Sequence, residues 1–427
     1  MRLPPVTRAR VTLARVKLAR VKLARVKLAK GWSLKALFTV DPAALMPTGG
    51  RDLRLDFFRG LALFFIFLDH IPSNLVNWIT IRNIGFSDAA EMFVFISGYA
   101  AALAYGGAMR RHGFRLATAR IWRRCWQLYV AHIFLFFIFT AQIAYISAHF
   151  NNPMFAEEMQ VVHFLEDPNN TLVPALLLMF RPANLDILPL YIVLLLAFPA
   201  ILWGLERRPV VVLAISAFLY GFIQATHFNL PGYPEGNDWF FNPLAWQFLF
   251  ILGALFGRVH GSPVSVVPRW PWLEWLSGLY LVAAFLLVLS WDLPQLAPPI
   301  PNWLGQLIYP ISKTDLDPLR LLHFLALAYL TVMLVAADTP FLQWRVSRPV
   351  IRCGQQSLYV FCFGIMLSFT GHFFLVEYSD SLAMQILVSI AGIGLMIALA
   401  YLLTWYRRAN REAARGASAK PSPVEEA

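Results

Sequence analysis

The residues of this chain best suited to chemistry lie in its first long apolar segment. That segment begins Arg51-Asp-Leu-Arg-Leu-Asp-Phe-Phe-Arg59 and runs on to Asp69-His70-Ile-Pro72. Ionisable groups inside an apolar span are costly and mark a path, a relay or a site. Arg59 and His70 are eleven residues apart, and eleven helical steps of about 100° end roughly 20° past three full turns, so the two share a face. Their axial separation is about 16 Å, roughly half the hydrocarbon thickness. An arginine at one end of such a line can hold an anionic group such as phosphate. A histidine further along can act as base on a hydroxyl, because its unperturbed pKa lies near neutrality. Asn74 and Asn77 extend the polar line, Pro72 can loosen the helix, and Asp69 projects toward another helix. The plainer alternative is that Arg59 snorkels to the interface and His70 is structural.

The second apolar segment reads Ser87-Asp88-Ala-Ala-Glu91-Met-Phe-Val-Phe-Ile-Ser97-Gly98-Tyr99. Asp88 and Glu91 are i,i+3 neighbours on one helical face, with Asp88 also placed to cap the helix start. A carboxylate at the depth of Glu91 needs a partner, and Arg59 or His70 on the neighbouring helix is the economical expectation. His132, His323 and His372 read as packed histidines. Asn184 and Asp186, and Gln355-Gln356-Ser357, could line a pocket, the latter equally well a helix cap. No Gly-rich phosphate loop, zinc spacing, GxSxG elbow or Ser/His/Asp order is present, so no metal site is expected.

These residues must be positioned by a membrane bundle. The 427 residues are 58% hydrophobic and 14% charged, with 35 Phe and 14 Trp, whereas a soluble domain is about 25% charged. Ten apolar segments approach the twenty or so residues that cross a bilayer. They are Phe57–Trp78, Phe86–Gly106, Gln127–Ser147, Ile187–Leu205, Val210–Thr226, Pro243–Gly257, Leu273–Ser290, Leu319–Ala336, Leu358–Leu375 and Leu382–Trp405. The fold class expected is all-α, a polytopic transmembrane helix bundle of about ten spans. Thr171–Arg181 is too short to span alone.

Cations set the orientation. With the N-terminus inside, one set of connections gathers nearly all of them. The 107–124 loop holds Arg110, Arg111, Arg115, Arg120, Arg123 and Arg124, and the opposite side has only Arg82, Arg181, Lys313 and Arg320. Both termini are therefore expected in the cytoplasm. The longer outer connections, 148–170, 227–242 and 291–318, are rich in Asn, Pro, Trp and Asp. Trp faces can stack on sugar rings, although for Trp239, Trp291 and Trp303 a place at the membrane interface is the simpler expectation.

The net charge of +12 comes from one end: residues 1–36 carry 11 Lys and Arg and no acid, and the other 391 balance 25 basic against 24 acidic residues. That excludes a basic nucleic-acid stripe. Residues 1–45 form a basic low-complexity extension built on the five-residue repeat VTLAR, VKLAR, VKLAR, VKLAK, which builds no coherent helical face. It reads as an extension ahead of Met46 as the initiator, or as a tail on anionic head groups, and it lacks the features of a signal peptide. Residues 46–406 form the transmembrane domain and 407–427 a basic tail. Cys125, Cys353 and Cys362 read as free buried thiols.

The stretch RDLRLDFFRGLALFFIFLDHIPSN followed by GFSDAAEMFVFISGYAAALAYG, within Arg51–Gly106, resembles the OpgC-type glucan succinyltransferases. NLDILPLYIVLLLAFP at Asn184–Pro199 and CGQQSLYVFCFG at Cys353–Gly364 resemble the same family. More distantly, the arginine, ten residues, histidine spacing of Arg59 and His70 is similar to that of the acyltransferase-3 superfamily, with Glu91 where that superfamily has aspartate. RIWRRCWQLY at Arg120–Tyr129 is also similar. The resemblance implies a ten-helix O-acyltransferase of the bacterial cytoplasmic membrane. It would take an acyl group, succinyl in the closer family, from cytoplasmic acyl-CoA to hydroxyls of a periplasmic glucan. No tightly bound cofactor is implied. On this reading His70 activates the acceptor, Glu91 or Asp69 orients His70, and Arg59, with Arg120 and Arg123 of the basic loop, holds the donor. The rival is a transporter using the His/Glu/Arg set as a relay; the two halves show no internal symmetry that would favour it.

Overall fold

The computed structural model describes residues 52–259, 269–293, 295, 303, 306, 308–336 and 339–418. The N-terminal extension 1–45, the start of the membrane domain before Asp52 and the tail beyond Ser418 lie outside the described residues. Among the described residues the helices that carry the fold are α1 Leu53–Asp69, α2 Ala89–His149, α3 Ile187–Arg207, α4 Pro209–Thr226, α5 Pro243–Arg258, α6 Pro271–Asp292, α7 Pro318–Leu334, α8 Ser347–Gln355, α9 Ser357–Glu377 and α10 Leu382–Ser418, with further short helices at Met154–Glu158, Val162–Glu166 and Pro168–Leu176. Among the described residues there is no strand, only an isolated bridge between Pro231 and Asp238.

The local signals that start these helices are readable. Asp52, Asp88, Asn242 and Asp317 cap α1, α2, α5 and α7 with their side chains, each accepting an amide of the first turn. Proline opens α4, α5, α6 and α7, where its missing N–H costs nothing.

Among the described residues six helices are long and apolar enough to cross a membrane, and Pro243–Arg258 and Pro318–Leu334 are shorter apolar helices. This is a membrane-protein architecture in which the expected apolar segments fall on helices. The first segment stops at Asp69 rather than Trp78, because Pro72 disfavours helical backbone at the residue before it and has no N–H to give. Beyond it the chain turns through Ser73 at φ 58° into two short 3₁₀ turns, Leu75–Ile79 and Ile81–Asn83. The second and third segments both lie on α2, in which two helices follow one another across a kink. The 107–124 stretch is thus no loop: its Arg- and Ala-rich sequence favours helix on both sides of a single break. That break is Gly113, at φ 78° and ψ −178°, a backbone that an L side chain rarely adopts.

Small residues let the helices close around the site. A Cβ on Gly60 would strike the Val350 carbonyl and one on Gly354 the Asp56 carbonyl, so α1 and α8 touch backbone to backbone. Gly98 meets the Phe250 carbonyl, and Gly253 and Gly257 meet those of Phe95 and Tyr99, which locks α2 to α5. Around these contacts lies one continuous core, including the fully buried Phe67, Phe136, Phe198, Trp246 and Phe250. Helix α4, by contrast, buries only Ser216 and Ile223 and turns Val210, Ile215 and Phe218 outward, as a lipid-facing helix does.

Candidate active site

His70 is the C-cap of α1, at φ −95° and ψ 6°, and lines a cavity of about 1160 Å³. That exceeds the 300–1,000 Å³ or so of a usual small-molecule pocket. Its ring Nδ1 is buried and has no hydrogen-bond partner. Asp69 lines the same cavity, and its Oδ1 accepts a hydrogen bond from the Thr80 hydroxyl at 2.7 Å. The expectation that Asp69 reaches another helix is therefore corrected. Because α1 ends at Asp69, the 3₁₀ turns that follow fold back and bring Thr80 onto it.

A charged cluster lies beside His70 at the start of α2. The Asp88 side chain caps the helix through the Ala90 amide at 2.7 Å, and Glu91 Oε2 accepts the Asp88 amide at 2.8 Å. Arg320 of α7 donates to Glu91 Oε1 at 2.8 Å and to Asp88 Oδ2 at 3.2 Å, and Lys313 Nζ reaches Asp88 Oδ2 at 2.6 Å. Glu91 is fully buried. It therefore pairs with Arg320 and not, as expected, with Arg59 or His70. The nearer helix in sequence is not the one that presents a cation to it. Lys313 is held in place because Trp246 Nε1 donates to the carbonyls of Lys313 and Thr314, each at 3.1 Å.

Opposite, Arg181 donates to Asp186 Oδ1 at 3.2 Å and to the carbonyls of Leu178 and Met179, and lies 4.3 Å over the Trp239 ring. Burial pushes the Asp186 carboxyl up to about 6, against the pull of the Arg181 guanidinium. Trp239 is buried under that cation in the cavity wall, so it is not an interface tryptophan. Trp291 also lines the cavity but keeps 48% of its surface exposed. Ser87, another wall residue, hydrogen-bonds His323 Nδ1 at 2.8 Å.

Arg59 opens onto a different, smaller cavity of about 180 Å³. Its wall includes Arg124, Tyr105, Tyr191, Ser97 and Ser357 and contains no carboxylate. Arg59 also donates to the Ile96 carbonyl at 3.2 Å. The two cavities have one wall residue in common, Phe361 of α9.

A family model described as OpgC protein matches residues 51–408. The chain belongs to the OpgC protein family. Membership suggests a glucan-modifying acyltransferase, and the apolar helices suggest a membrane protein. No curated protein and no solved structure matches the chain.

The structure brings His70, Asp69 and the Asp88–Glu91–Arg320 cluster to the large cavity or its edge, and sets Arg59 apart in the small one. Arg120 and Arg123 are exposed and line neither cavity; the half-buried Arg124 does. Asn184 and Asp186 line the large cavity, as the sequence allowed, whereas Gln355 and Gln356 pin helices together through Asp56 and Thr404. Asn74 likewise ties to Ser389 rather than extending a polar path. Among the described residues no His/Cys/Asp/Glu group could hold a metal ion.

Arg320 and Lys313 were read from the sequence only as outer-side cations. Arg320 had a usable signal, being an arginine two residues past the proline that opens an apolar helix.

Proposed function

We propose that this protein is an O-acyltransferase of the bacterial cytoplasmic membrane, moving a succinyl group from cytoplasmic acyl-CoA to hydroxyls of a periplasmic glucan. The observation that carries this reading is His70, an imidazole with an unpartnered ring nitrogen in the wall of a polar, aromatic cavity of about 1160 Å³. That volume suits an oligosaccharide better than an ion or a small metabolite. The exposed face of Trp291 is available to a sugar ring, while that of Trp239 is taken by Arg181. The small cavity, with two arginines and no acid in its wall, suits the anionic parts of a CoA thioester.

In the reaction the glucan hydroxyl oxygen attacks the thioester carbonyl. A C–O bond forms and the C–S bond breaks. The hydroxyl proton passes to the His70 imidazole and from there to the departing CoA sulfur. Arg59 and Arg124 hold the donor, and the surface cations Arg120 and Arg123 attract its phosphates from solution. Asp69, held at Oδ1 by Thr80, can orient His70 only through its other oxygen, and Glu91 acts on the site through Arg320 and Asp88, as a positioning residue. The likeness of the Arg59–His70 spacing to the acyltransferase-3 superfamily supports the same direction of transfer.

The test is analysis of glucan substituents in a deletion strain carrying wild type or His70→Ala, together with CoA-dependent transfer by the purified proteins. His70→Ala should be present at normal level and restore no acyl esters. Full ester content in that variant would remove His70 from the chemistry. A carrier would show no CoA-dependent transfer in detergent and would move glucan material in sealed vesicles.

A further inference from the structure

Helices α2, α3 and α9 each pass from the wall of the large cavity to that of the small one within a short stretch. On α2, Ala90 lines the large cavity and Phe93 the small one; on α3 the same change falls between Ile187 and Leu188. Three residues of helix rise about 4.5 Å and one about 1.5 Å. On α9, Ser357 and Leu358 line the small cavity, and one turn later Phe361 lines both. At Phe361 the wall between the cavities is a single side chain, which faces both. It is 2% exposed, with its ring centroid 6.1 Å from that of Phe93 and the planes inclined by 32°. A phenyl ring in such a place can swing aside by a rotamer change, without movement of a helix.

We propose that Phe361 is a specificity-determining residue: its ring closes the passage between the two cavities, and the width it leaves on turning aside sets which acyl groups reach His70. This rests on the acyl-transfer reading above. A donor whose anionic end is held at Arg59 and Arg124 must bring its thioester carbonyl to His70, a residue about 16 Å along α1 from Arg59. The shared wall at Phe361 lies on that route. A slim, flexible acyl chain passes an edge-on ring, and a rigid or branched one is stopped there. Selection then acts on the acyl group and leaves the affinity for CoA itself unchanged.

The experiment uses the full chain in detergent as wild type, Phe361→Ala and Phe361→Trp, each monodisperse on size exclusion. CoA binding is measured at equilibrium, and transfer to glucan is measured with succinyl-CoA and with the bulkier benzoyl-CoA. Phe361→Trp should transfer succinyl about tenfold more slowly, or worse, than any change in its CoA affinity accounts for. Phe361→Ala should gain about tenfold on benzoyl relative to succinyl, in the range by which a few carbons decide specificity in an apolar pocket. Wild-type rates and wild-type donor preference in both variants would overturn the proposal.

A second measurement does not depend on acyl transfer. Ser97→Cys, in the wall of the small cavity, is placed in a background with Cys125, Cys353 and Cys362 changed to Ala. Spheroplasts are treated from outside with a membrane-impermeant maleimide. Labelling should be slow with Phe361 present and fast with Phe361→Ala. Equal labelling would show that Phe361 is no partition, whether or not the protein transfers acyl groups. Absence of CoA-dependent transfer in the wild type, with a Phe361-dependent labelling rate, would overturn the reaction and keep the partition.

Discussion

Removing the Glu91 carboxylate separates two roles that the sequence left together. The side chain is fully buried, takes the Arg320 guanidinium at 2.8 Å and takes the Asp88 amide as the second half of a capping box. Glu91→Ala leaves Arg320 in a buried position with only Asp88, which Lys313 already engages at 2.6 Å. Breaking a buried ion pair on one side costs about 3–5 kcal/mol, because the remaining charge is uncompensated. Retention of the Asp88 contact puts the expected loss at the low end, about 3 kcal/mol. Loss of the capping-box half adds about 1 kcal/mol.

The assay is equilibrium unfolding of the purified protein in mixed micelles, run as a double-mutant cycle with Arg320→Met. The cycle should return a coupling of about 1.5–3 kcal/mol, since contacting charged groups fall in the upper part of the usual range. Acyl transfer should fall with the folded fraction and with the disturbance of α7, and Arg320→Lys should recover part of both. The reasoning is refuted if Glu91→Ala is as stable as wild type, shows no coupling to Arg320, and still loses transfer by orders of magnitude. That result would mean that Glu91 serves His70 directly.

Three further outcomes follow from the same structure. Arg124→Ala should raise KM for acyl-CoA about tenfold at any ionic strength, the loss of one charge-assisted contact. Arg120→Ala and Arg123→Ala should raise it only at low salt, since exposed charges are screened beyond about 10 Å at 0.1 M; initial rates across a salt series distinguish the two. Gly354→Ala should cost about 1–3 kcal/mol, because its Cβ would meet the Asp56 carbonyl, whereas Gly394→Ala, with nothing within 4 Å, should be neutral or stabilising by up to about 1 kcal/mol in thermal melts. Burial holds the folded Asp186 carboxyl at about 6 against 3.8 for an unperturbed one, so the folded state binds that proton more tightly. The stability it contributes is complete below about pH 4 and lost as pH rises through about 6. Asp186→Asn lacks this titration, so its stability relative to wild type should increase from pH 4 to pH 7, and a decrease over that range would contradict the assignment.

The legible parts of this molecule were those with a local cause. Helix starts at Asp52, Asp88, Asn242 and Asp317 follow from capping side chains, and the change of direction after Asp69 follows from Pro72. Arg59, His70 and Glu91 stood out because an ionisable group among apolar residues is expensive wherever the chain takes it. Their partners did not stand out. Arg320 is 229 positions from Glu91, and helical spacing carries no information about which of several helices lies alongside. The 107–124 stretch is helical on both sides of Gly113 because an Arg- and Ala-rich stretch without proline is a good helix, and a run of arginines does not by itself mark a loop. Phe361 was hidden by company: it is one phenylalanine of 35, and its place between two cavities is a property of three helices together.

The proposed role of His70 as base is set against the engagement of its acidic neighbours. Asp69 accepts from Thr80; Asp88 holds an amide, Lys313 and Arg320; Glu91 holds Arg320 and the Asp88 amide. Among these acids none hydrogen-bonds the ring, and its Nδ1 has no partner. A base without a carboxylate behind it gains no help in carrying positive charge, so proton transfer from the hydroxyl must be matched closely in time by its delivery to the leaving sulfur. That suits a thiolate leaving group better than an alkoxide, since a thiol with a pKa near 8.5 is the easier group to expel as the proton arrives. The ion cluster around α2 and α7 then serves as scaffold. It ties the start of α2 to α7 at the edge of the cavity that His70 lines.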